Sequence, residues 1–129
     1  DGVNRLALLC SSDELSGFRL DHPQDNVGLL LDVGHLKVSA WTLGFDLHAA
    51  VRNAEPWVEA LHLHDNDGES DAHRLFDEKA WFMPYLEGLA ARAALIIETV
   101  PSPWPDLLAV ARAVERAAGG RRLSKGDIA

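Results

Sequence analysis

The sequence predicts an α/β protein: a parallel (β/α) barrel of TIM type, of which this chain supplies about four C-terminal β/α units, a partial barrel. Three observations predict it. Short unbroken aliphatic runs recur at RLALLC (5–10), VGLLLDV (27–33), VEALHLH (58–64) and ALIIETV (94–100), as expected of parallel strands buried on both faces. Stretches with helical periodicity fill the gaps between them, giving the order β-α-β-α-β-α-β-α. Acids and imidazoles gather where the runs end, at Asp32, His35, His62, Asp71, His73 and Glu98, and strand C-termini are where a barrel carries its chemistry.

The elements follow in chain order. After the first run, residues 11–24 support at most a short helix, because Gly17 and Pro23 interrupt the pattern. In 46–55, Leu47, Ala50, Val51 and Ala54 share one helical face, with Asp46 placed to cap the start and Pro56 just beyond the end. A further helix is expected near Pro84, with Leu86, Leu89, Ala90 and Ala93 as its stripe. The last is expected to be capped by Asp106, to face the sheet with Leu107, Val110, Ala111 and Val114, and to stop at Gly119-Gly120. Residues 1–120 therefore read as one domain and 121–129 as a frayed tail. The chain starts at Asp1 and enters a strand at once, which suggests a start that was cut away; a signal peptide upstream would be invisible. An open doubly wound sheet is the competing architecture, and periodicity alone does not separate the two. Four parallel strands would leave two open edges and an unfilled interior, so the N-terminal half of a barrel is an expected partner.

Composition narrows the function classes. With 129 residues, 47% of them hydrophobic, the chain can bury one real core. Twelve Lys and Arg against 20 Asp and Glu give a formal charge of -8, which repels a phosphate backbone, so no nucleic acid is expected as a partner. No apolar run approaches the roughly 20 residues of a membrane span, so no membrane is expected either. The single cysteine, Cys10, reads as a small core residue; it cannot form an internal disulfide and fits a reducing, cytoplasmic setting. A homo-oligomer is compatible with all of this.

Neutral imidazoles and carboxylates at one rim suit Mn, Mg, Co or Zn and require no thiolate. His62 and His64, two apart on a strand, point to the same face, so either is a candidate ligand. Asp65, Asp67 and Glu69 read as solvated loop charges around a turn at 66–68. The four tryptophans read as packing residues, with Trp41 the best placed to shape a substrate pocket.

LDVGH at 31–35, HLHDNDGESDAH at 62–73 and IIET at 96–99, in this order and at these intervals, resemble the C-terminal half of the xylose isomerase-like TIM barrel superfamily. That superfamily holds sugar phosphate isomerases and epimerases, inosose dehydratases and the AP endonuclease family 2, or endonuclease IV, type of nuclease. The resemblance covers roughly residues 5–118. It implies that Asp32, His62 and Glu98 bind a divalent metal ion. The family places its ligand three residues before the acid at Asp65, which favours His62 over His64. His35, Asp71 and His73 match positions that are further ligands in the nuclease branch and substrate contacts in the sugar branch.

The implied activity is isomerisation or epimerisation of a sugar or sugar phosphate by proton abstraction next to a carbonyl, with Glu98 as the catalytic carboxylate. The alternatives are an inosose dehydratase-like lyase, an endonuclease IV-like nuclease, or a non-catalytic, degenerate or truncated relative. Two departures matter. The strand that usually ends in a ligand Glu reads Leu9, Cys10, Ser11 here, leaving Asp13 or Glu14 as less favoured substitutes from the loop. The glycine-rich stretch that often follows the DxH pattern is replaced by residues 74–77. This half alone is not expected to be the whole working molecule.

Overall fold

A computed structural model describes residues 11–24 and 26–120. The first predicted strand (5–10), Leu9 and Cys10 of the degenerate strand end, and the tail 121–129 lie outside the described residues. Within them the element order is α1 (Ser12–Asp21), β1 (Leu29–Asp32), α2 (Val33–Leu43), α3 (Leu47–Ala54), a 3-10 turn (Glu55–Trp57), β2 (Val58–Leu63), α4 (Met83–Leu89), β3 (Ala94–Ile97) and α5 (Trp104–Ala117). The protein is mixed α/β with a small parallel three-stranded sheet in the order β1-β2-β3.

Each of the three aliphatic runs among the described residues yields a strand, shorter than the run itself. Several helices differ from expectation; α4 stops at Leu89, so Ala90 and Ala93 of its expected stripe lie beyond it. Helix α1 is ten residues long, because Ser11 and Glu14 form a reciprocal capping box: the Glu14 amide donates to Ser11 Oγ at 3.2 Å and the Ser11 amide to Glu14 Oε2 at 3.1 Å. Helix α2 is absent from the sequence reading. Asp32 starts it by accepting from the His35 amide, and Gly44, in the left-handed region at φ 74°, ends it. Asp46 caps α3 as expected through the Ala49 amide. Asp106 does not cap α5. That helix begins three residues earlier, with Pro103 at the cap position and Pro105 in the first turn, where a proline's fixed φ suits a helix start.

The core lies between one face of the sheet and the helices. Leu61, Leu63 and Val58 of β2 are fully buried with Val51 of α3, Leu86 and Leu89 of α4, Val114 of α5 and Phe82. Burying each large aliphatic stabilises by about 1.5–3 kcal/mol. The other face is different. Leu30, Ala60 and Ala94 lie side by side across the three strands, and Leu30 is 53% exposed. Above them in register come Asp32, His62 and Ile96. Among the described residues no element covers Leu30 and Ala94, although a parallel sheet is ordinarily buried on both sides.

Of the tryptophans, Trp57 and Trp81 pack against the core as expected, whereas Trp41 and Trp104 are exposed. Trp41 projects from α2 beside Gly68 of the loop after β2. No helix among the described residues is long and apolar enough to cross a membrane.

Candidate metal centre

Three strand ends converge. Asp32 is the last residue of β1, His62 sits directly beside it in β2, and Glu98 follows β3 by one residue, its amide donating to Leu63 O at 3.1 Å. Parallel pairing in consecutive order places all three at the same end of the sheet. His62 Nδ1 lies 2.6 Å from Glu98 Oε2 and 3.7 Å from Asp32 Oδ2. One ligand atom from each of Asp32, His62 and Glu98 falls within 4.8 Å of the others. An ion with ligands at about 2.1 Å spaces them by up to about 4 Å, so a small inward movement suffices.

A second group adjoins the first. His35, His64, Asp71 and His73 also offer ligand atoms within 4.8 Å of one another. The His35 ring bridges two acids, with Nδ1 2.9 Å from Asp32 Oδ2 and Nε2 2.9 Å from Asp71 Oδ2. Only a ring carrying both protons satisfies both contacts. Burial works against that charge, yet the hydrogen bond to Asp71 and the negative charges of Asp32 and Asp71 raise the His35 pKa above its usual value. His73 Nε2 meets Asp71 Oδ1 at 3.1 Å.

Asp32 is the hinge between the two groups. Its Oδ1 accepts from the His35 amide at 2.8 Å and from His64 Nε2 at 2.8 Å, while Oδ2 faces His62 and His35. Burial pushes its pKa up, but the His64 hydrogen bond, the His35 amide and the charge on the His35 ring outweigh it, holding the carboxyl below the usual carboxylate range. Asp32 is thus ionised over the whole neutral range, as a ligand must be.

Strand alternation alone left His62 and His64 as equivalent candidates, and only the resemblance favoured His62. The structure separates them: His62, inside β2, joins Asp32 and Glu98, and His64, one residue past the strand, joins His35, Asp71 and His73. His64 is fully buried, and its ring stacks on His73 at 3.8 Å with an interplanar angle of 2°. Gly34 makes room for it, since a Cβ there would lie 2.0 Å from His64 Cε1. The glycine of LDVGH is therefore required by close approach.

The loop 64–82 carries His64, Asp71 and His73 of the second group and is held at several points. Asp65 and Arg74 exchange backbone hydrogen bonds at 3.1 and 2.7 Å. Asp65 is not the solvated loop charge expected from sequence: it is half-buried and pairs with Lys37 Nζ at 2.7 Å, tying the loop to α2. Asn66, unremarked in the sequence except as a turn residue, is buried and donates to Gly34 O at 2.9 Å while accepting from the Gly68 amide at 2.8 Å. Asp67 is the solvated charge that was expected. The Ser70 and Glu69 amides hold it at a pKa of about 2, with Arg74 nearby. Phe76 and Phe82 anchor the far end of the loop in the core with their rings edge to face at 5.0 Å. His73 itself sits at φ 43°, in the left-handed region, and its carbonyl accepts from the Val100 amide at 2.9 Å. Asp13 and Glu14 belong to neither ligand group; Glu14 is engaged in the cap of α1.

The donor chemistry of both groups, carboxylate oxygen and imidazole nitrogen without thiolate, fits a divalent cation of the Mn, Mg, Co or Zn kind. Compared with known protein families, with curated proteins and with solved structures, the chain matches none of them.

Proposed function

We propose that this protein is a divalent-metal-dependent isomerase or epimerase of a sugar or sugar phosphate, with Asp32, His62 and Glu98 as metal ligands and Glu98 as the carboxylate that carries the proton. The observation that carries this reading is the meeting of those three side chains at the C-terminal ends of three adjacent parallel strands. The proposal includes the finer architecture, a TIM-type barrel to which this chain contributes C-terminal β/α units. Consecutive strand order supports it, and so does a sheet face that bears Leu30 and the candidate ligands together.

A bound divalent cation supplies Lewis-acid polarisation of a substrate carbonyl and neighbouring hydroxyl. The chain's own residues do the rest. Glu98, 44% exposed, is reachable by a substrate and takes the proton from the carbon next to the carbonyl. His62, 2.6 Å away, holds that carboxylate in place. His35, half-exposed at the rim, spends its two N–H groups on Asp32 and Asp71 and so ties the second group to the ligand carboxylate, with Asp71 also held by His73.

A second reading, metal-activated hydrolysis of a phosphodiester, draws on the second donor group beside the first. The formal charge of -8 opposes a polyanionic substrate.

Calorimetric titration of Mn, Mg, Co and Zn into the chelator-treated full-length protein tests the proposal. Wild type is expected to bind stoichiometrically, and Asp32→Asn and Glu98→Gln to lose that binding. A panel of aldoses, ketoses and their phosphates in D2O is then expected to show deuterium incorporation next to the carbonyl, absent in Glu98→Gln. A folded wild-type protein that binds no divalent ion overturns the reading; hydrolysis of an abasic-site duplex without exchange on any sugar favours the second.

A further inference from the structure

We infer that His64 is a positioning residue that fixes Asp32 for metal binding by clamping its Oδ1, so that Oδ2 alone is presented to the ion. The inference rests on the metal site proposed above and deepens it. An aspartate's terminal torsion is broad, so an unheld carboxylate samples both oxygens and many orientations. Here Oδ1 is engaged by two donors from different directions, the His35 amide at 2.8 Å and His64 Nε2 at 2.8 Å. Oδ2 is the oxygen turned to the rim, where it meets His35 Nδ1 at 2.9 Å and faces His62 Nδ1 at 3.7 Å.

The clamp is rigid because His64 has nowhere to go. Its ring has no exposure, lies flat on His73 at 3.8 Å, meets His35 edge-on at 5.3 Å and rests against the bare Cα of Gly34. His64 Nδ1 is buried with no hydrogen-bond partner. A proton there would be an orphaned buried donor, so the N–H of the ring is the one at Nε2, the donor that Asp32 needs. Outer groups that orient a ligand in this way are worth about 10–100-fold in metal affinity. Lys37, Asp65 and Asn66 hold α2 to the loop that carries His64, which fixes the two ends of the clamp relative to each other.

Calorimetric titration of Mn and Zn into the full-length protein, comparing wild type with His64→Leu, His64→Gln and Gly34→Ala, tests this. His64→Leu keeps a buried apolar body but removes the donor, and is expected to weaken binding about 10–100-fold with stoichiometry unchanged. His64→Gln returns a donor near the Nε2 position and is expected to recover most of the affinity. Gly34→Ala leaves every ligand in place but pushes the ring away, and is expected to match the leucine variant; it carries the test should that variant fail to fold. Wild-type affinity in His64→Leu overturns the inference while leaving the metal site standing. Equal weakening in His64→Leu and His64→Gln overturns it in favour of ring packing. A stoichiometry lowered by one ion in both, with the remaining ion bound as before, overturns it by making His64 a ligand. No ion bound by wild type removes the metal reading and this inference together.

Discussion

At the scale of residues, Asp32 ends a strand, caps a helix and faces two imidazoles, so one side chain couples local folding to the chemistry of the rim. Asp32→Asn keeps an oxygen for the His35 amide and is expected to fold with α2 intact by circular dichroism, losing charge at the site rather than the helix. Asp67 offers a simpler case, since it belongs to neither ligand group. Its pKa is lowered in the folded protein to about 2 by backbone donors, so its stabilising contribution is present above the ordinary value of 3.8 and is lost as pH falls toward 2. Urea unfolding of wild type and Asp67→Asn is therefore expected to show a stability gap at pH 5 that closes by pH 2. A gap that widens on acidification contradicts the assignment.

At the scale of elements, the strands were legible because their aliphatic runs are unbroken and flanked by turn residues. Their C-terminal limits were less so, which is why Glu98 lies one residue beyond β3. Helix α2 was not legible. Its buried residues, Val33, Gly34, Leu36, Val38 and Ala40, follow alternation as well as they follow a helical stripe, and β-branched Val33 and Val38 with Gly34 are poor helix formers. The cap at Asp32 and burial between the sheet and the loop override that propensity. Asp106 was misplaced because a capping acid and a first-turn acid look alike in sequence; the prolines at 103 and 105 were the better signal. Alternation alone did not separate His62 from His64, because it gives both the same face; the end of β2 at Leu63 divides them in the structure. Helix α4 is docked through Leu86, which is fully buried, and Leu86→Ala is expected to cost about 2–5 kcal/mol in chemical denaturation. A cost below about 1 kcal/mol would mean that α4 is not part of the cooperative core.

At the scale of the whole molecule, the sheet presents one covered face and one face where Leu30 stands half in water beneath the ligands. If that face lines a barrel, Leu30 is interior in the full-length protein, and Leu30→Ala is expected to destabilise it by about 2 kcal/mol or more. A change within about 0.5 kcal/mol would mean that the face is open to solvent and would remove the barrel proposal. His73 bears on the same question from the direction of selection. Its backbone is held in the left-handed region, where glycine or asparagine rests more comfortably and other residues carry a strain of the order of 1 kcal/mol. In a library selected for heat resistance alone, position 73 is expected to drift toward those two residues. Under selection for retained metal it is expected to stay histidine, and the divergence between the two populations would trace where folding and chemistry pull this chain apart.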